Sequence, residues 1–128
     1  MSTFIEEHLQ LVHQYREMLE SIEEGFQYVL ASFQDYSKTE GDLVLSDIFT
    51  AFVRIVQVNQ DLSVLFQDNA SIVEAINSFD EVVLATDKMD GLFEKSQEKQ
   101  EIVSKFLYPA FELWHQKIQP LLIELTQL

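Results

Sequence analysis

Residues 43–66 read LVLSDIFTAFVRIVQVNQDLSVLF, and this stretch decides what kind of fold the chain can adopt. At 100° per residue, Val44, Ile48, Ala51, Ile55, Val58, Leu62, Leu65 and Phe66 share one side, which is the spacing of a helix facing a core. A second apolar strip, Leu45, Phe49, Phe52, Val53 and Val56, runs beside the first. The front half of this helix is therefore apolar over most of its circumference, and from Gln60 onward the second strip turns polar through Ser63 and Gln67. A small bundle offers each helix one inward face, whereas a helix apolar nearly all round is buried on more than one side. The surplus asks for a covering surface.

Working outward, residues 3–36 form a first helix with no breaker. Phe4, His8, Leu11, Tyr15, Met18, Ile22, Phe26, Val29 and Phe33 recur by threes and fours, and Ile5, Val12, Leu19 and Leu30 widen the stripe. Thr3 and Glu6 have the spacing of a capping box. Gly25 beside the stripe allows close packing or a bend. The polar run 37–42 connects to the helix over 42–67, and residues 68–71 make the next connector, with Ser71 and Glu74 repeating the capping-box spacing. A third helix over 71–90 turns Ile72, Ala75, Ile76, Phe79, Val82, Val83, Thr86 and Met89 inward and stops at Asp90-Gly91. Leu92 and Phe93 continue it or form a short packed turn.

A fourth helix over 96–127 carries Val103, Phe106, Leu107, Ala110, Leu113, Trp114, Ile118, Leu121 and Leu125, with Phe111 and Leu122 toward the edge. Pro109 and Pro120 each remove an amide donor, and the continuous apolar period predicts kinks rather than ends. Four amphipathic segments, short connectors and no strand-like alternation predict an all-α, antiparallel up-and-down four-helix bundle, one domain over 1–128.

Composition narrows the function. With 47% hydrophobic residues, ten of them Phe, the chain can build a core of its own. It has no cysteine, which removes disulfides, thiolate metal sites and cysteine nucleophiles and suits a reducing compartment. No basic-then-apolar leader opens it and polar residues interrupt every apolar run, so a cytoplasmic protein is expected. Its 22 acidic against 8 basic residues give a formal charge of −14. That field repels phosphate backbones and anionic lipid, which argues against nucleic acid and membrane as ligands and favours cationic partners. The simplest role of the carboxylates is to solvate the outer helix faces.

Motifs for catalysis are incomplete. Glu112 and His115 match the Glu-x-x-His of di-iron bundles, but the second copy and the two further glutamates are missing. The pair lies off the stripe and reads as a solvated outer face. Glu20 and Glu23 start the carboxylate pattern of helical pyrophosphohydrolases, yet no Glu-x-x-Asp completes a magnesium cage. There is no phosphate-binding glycine loop and no nucleophile with a base. His8 interrupts an apolar stripe and must find a partner, and Asn59 and Thr86 are further polar residues at or beside inward positions, so a buried hydrogen-bonded layer is one reading of the three. No catalytic residue, metal or cofactor is expected.

Glu24-Gly25-Phe26 in the first helix, and Phe106-Leu107-Tyr108-Pro109-Ala110-Phe111 followed by Trp114 in the fourth, resemble a family of small uncharacterised helical domains of Gram-positive bacteria. The resemblance implies a helical bundle and supplies no activity. In size, acidity and helix content the chain also looks like flagellar and secretion export chaperones, an analogy of type.

The leading expectation is a non-enzymatic protein-interaction module, binding a protein partner or a second copy of itself as a dimer. Its expected contact residues are Leu45, Phe49, Val53 and Val56, extended by Phe111 and Leu122. Two alternatives are an export-type chaperone for a helical client and a metal-dependent bundle enzyme using carboxylates and His8.

Overall fold

A computed structural model describes residues 2–127, and side chains from Glu6 onward. The chain forms a four-helix bundle. Its rods are α1 (Ser2–Ser32), α2 (Gly41–Leu65), a broken third rod of α3 (Ala70–Asn77) and α4 (Asp80–Asp87), and a fourth of α5 (Ser96–Ile102), a π turn (Val103–Leu107) and α6 (Tyr108–Leu125). α1 packs on α2 and α6, and α3 packs on α2 and α6, so the four rods close a ring. No described residue is in a strand.

One apolar cluster fills that ring, and aromatic rings from all four rods meet at its centre. Phe26 of α1 lies 6.2 Å from Phe52 of α2 and 5.4 Å from Phe111 of α6, and Phe79 of the third rod lies 5.6 Å from Phe52 and 4.7 Å from Trp114. Such tilted and edge-on pairs each add about 0.5–1.5 kcal/mol beyond their buried area. In α1 the fully buried positions are Val12, Tyr15, Leu19, Ile22, Phe26 and Val29, while Leu11 and Met18, expected inward, are half-buried. Phe4, Ile5 and the cap at Thr3 lie outside the described side chains.

Gly25 marks a close approach. A Cβ there would stand 3.2 Å from Ile48 Cδ1 and 3.4 Å from Val44 Cγ1, so glycine lets α1 and α2 draw together. Asn69 caps α3, its side chain accepting from the Ile72 amide at 3.2 Å. Ser71, the expected cap, lies inside the helix instead. Gly91 has φ 74°, the left-handed conformation of a chain reversal, and Leu92 and Phe93 follow as a packed turn.

The third helix is broken where a continuous one was expected. In a regular helix the Phe79 amide would reach the Ala75 carbonyl; here it bonds Ile76 O at 3.1 Å. The Ala75 carbonyl accepts instead from the Trp114 indole N–H at 2.9 Å and the Ser78 hydroxyl at 2.7 Å. Side chains inserted into the i→i−4 ladder are an established cause of such breaks. Through the break the backbone stays right-handed while its bonds tighten to i→i−3, Phe79 to Ile76, Glu81 to Ser78 and Val82 to Phe79, and the Phe79 ring is buried in the core. Beyond the break α4 packs on α6 and the π turn.

The fourth rod runs through both prolines. Ahead of Pro109 the helix widens, and the Tyr108 amide donates to Val103 O, five residues back. The extra residue in that turn shifts the phase of everything after it. The buried positions are Val103, Leu107, Phe111, Trp114, His115, Ile118 and Leu122. On a regular helix each step of four overshoots a full turn by about 40°, which would set Phe111 about 80° round from Val103; the wide turn reduces that offset. Phe106 and Leu113, expected inward, are 46% and 73% exposed.

Candidate functional site

That break leaves part of α2 uncovered. The second apolar strip of α2 divides: Leu45 and Phe52 are core, Phe49 is half-buried, and Val53 and Val56 are 60% and 39% exposed. Leu45, Phe111 and Leu122 are therefore corrected as contact residues. All three are enclosed by the chain's own bundle, Phe111 and Leu122 because the π turn rotates them from the stripe's edge to its centre.

Phe49, Val53 and Val56 line a groove of about 560 Å³ between α2 and α4. Its opposite wall is Val83, Thr86 and Met89, and its far end is closed by Gly91 and Phe93. Phe93 meets Phe49 edge-on at 6.4 Å, and the Lys99 ammonium lies 5.2 Å over the Phe93 ring. Lys99 is itself buried, and its Nζ donates to Asp42 Oδ1 at 2.7 Å, which ties α5 to the start of α2.

Val56 also borders a second hollow of about 190 Å³, lined by Asn59, Gln60, Ser63, Ile76, Asn77, Phe79 and Asp80. The two share Val56 as a lining residue and follow one another along α2, together a trough that is apolar toward Phe49 and polar toward Ser63. Every ionisable residue lining it is acidic, Asp80, Asp87 and Asp90. From sequence, only the α2 wall was placed at a contact surface. The α4 wall had a signal in Val82-Val83-Leu84, three consecutive apolar residues on a helix with room to bury one or two of them.

The other polar groups are structural in their geometry. Tyr15 donates to Asn59 Oδ1 at 2.5 Å inside the core, and burial holds its phenol above its ordinary range. Asn59 thus pairs with Tyr15, and the layer of His8, Asn59 and Thr86 does not form. His8 packs edge-on against Phe66 at 6.1 Å, and Thr86 Oγ1 donates to Val82 O at 2.9 Å. Tyr108 donates to Glu23 Oε1 at 2.7 Å and accepts from the Gln27 amide at 2.8 Å. Burial first, then the Glu23 and Glu112 carboxylates, raise its phenol.

His115 is buried with its ring 5.4 Å from Phe111, and this corrects the expectation of a solvated Glu112–His115 pair. Among the described residues no three His, Asp or Glu side chains converge as metal ligands would. No helix of the described residues is long and apolar enough to cross a membrane.

Comparison with known proteins places the chain. The uncharacterized protein YvzG of Bacillus subtilis (strain 168) is 26% identical over 117 residues, a match spanning 88% of this chain and 93% of that protein. No solved structure matches. The profile of the domain of unknown function DUF8042 matches residues 10–117, a span that includes both walls of the groove, and the chain belongs to that family.

Proposed function

We propose that the protein is a non-enzymatic interaction module whose contact surface is the α2–α4 groove. One observation carries the reading: Val53, in the middle of an apolar wall floored by aromatic rings, is 60% exposed. A contiguous apolar hollow of this kind is costly in water and marks contact sites on proteins that are otherwise well packed. Phe106, also exposed, carries the Lys88 ammonium 4.9 Å over its ring.

The test places a photo-crosslinking residue at position 53 and, as a control, at the exposed Glu17, in the organism that makes the protein. Discrete adducts from position 53 alone, lost in a Val56→Asp background, support the reading. Adducts absent at 53, or equal at both positions, overturn it.

A further inference from the structure

We propose that the groove's occupant is a basic amphipathic helix of another protein, lying along α2. This rests on the reading of the groove as an interaction site and adds the chemistry of what fills it. The trough follows α2 from Phe49 to Ser63, about 21 Å at the helical rise, which is the length of about four helical turns. α3 packs on α2 and α4 packs on α6 and the π turn, so the side of α2 that faces α4 is left open over the length of a helix.

Charge then selects among helices. Asp80, Asp87 and Asp90 all come from the third rod and its following turn, along one rim, with no Lys, Arg or His among the lining residues. A guest with apolar residues at i, i+4 and i+7 would seat them on Phe49, Val53, Val56, Val83 and Met89. Lys or Arg on its flank would then meet the three carboxylates. A second copy is the poorer guest. An isologous contact sets this patch against itself, acid rim to acid rim, between two chains of charge −14.

The experiment measures binding of fluorescent amphipathic peptides about four turns long, a Leu/Lys version and its Leu/Glu counterpart, to the full chain by anisotropy. Light scattering runs in parallel. The Leu/Lys peptide should bind at least about tenfold more tightly than Leu/Glu, and weaken as salt rises from about 50 to about 300 mM. Asp87→Asn with Asp90→Asn should reduce that preference several-fold.

Val53→Asp separates site from field, because it adds an anion while spoiling the apolar wall. Weaker Leu/Lys binding to it supports the groove; unchanged or tighter binding shows diffuse attraction to an acidic surface and overturns both this inference and the reading beneath it. Equal binding of the two peptides, abolished by Val53→Asp, keeps the groove and overturns the basic guest. A dimer that Val53→Asp dissociates, with neither peptide bound, gives the groove to a second copy. A monomer that binds neither peptide also overturns the inference. Thermal melting of each variant confirms that it is folded, as expected for changes at exposed positions.

Discussion

Tyr15 shows how a polar group is kept in an apolar core. Its hydroxyl and the Asn59 carbonyl oxygen satisfy each other across the α1–α2 interface. Tyr15→Phe strands the Asn59 amide and should cost about 1–3 kcal/mol by urea denaturation, and adding Asn59→Leu should recover part of that loss. The phenols of Tyr15 and Tyr108 are both raised in the folded state. The unfolded chain therefore ionises first, and the contribution is complete below pH of about 10 and is lost as pH rises beyond it. A melting temperature that is steady toward pH 10 and falls above it is the expected profile. Glu23→Gln removes one of the carboxylates that raise Tyr108, so an ultraviolet titration should show that phenol ionising at lower pH than in the wild type. At Lys99 the partners are unequal: the lysine side chain is 8% exposed and Asp42 is 65% exposed. Asp42→Ala, which leaves a buried ammonium alone, should therefore destabilise more than Lys99→Met, which leaves a carboxylate in water.

Among the elements, the third and fourth rods depart from regular helix, and a tryptophan of the fourth rod reaches the break in the third. Trp114 follows the wide turn on the buried side of the fourth rod. From there its indole takes the Ala75 carbonyl away from the helix ladder. Trp114→Phe keeps a ring against Phe79 and loses the hydrogen bond. It should cost about 1–3 kcal/mol and lower hydrogen-exchange protection at Ser78 and Phe79 before other core amides.

Four amphipathic periods, the connectors and Ile48, Ile55 and Leu62 on the inward face of α2 were readable from sequence, because a 3.6-residue pattern is a local property; Leu45 and Phe52, read as surplus, are core, and Val44, Ala51, Val58, Leu65 and Phe66 are only half-buried. The wide turn was not, since Phe106 and Phe111 are equally apolar and only packing decides which of them faces in. That single slip moved Phe111 and Leu122 from the expected contact surface into the core. The break at Ser78 was equally hidden: its cause is a hydrogen bond between residues 39 apart in the chain. Val53 and Val56 were identified from sequence as surplus because a small bundle offers α2 one inward face and they lie on a second apolar strip.

At the scale of the molecule, a dense apolar interior is carried inside a strongly acidic shell. With −14 formal charges the folded state repels itself, and screening should help it. Melting temperature should therefore rise as sodium chloride increases from about 20 to about 500 mM, the opposite of a fold held by surface ion pairs. On the docking proposal, that shell also directs encounter, drawing basic segments toward a surface whose apolar trough has an acidic rim. The most direct test of the groove as a docking site is amide chemical-shift mapping by NMR as the Leu/Lys helix is titrated in. Shifts concentrated on residues 49–63 and 80–93 are predicted; shifts spread over the acidic outer face of α1, with Val53 and Val56 unmoved, would contradict it.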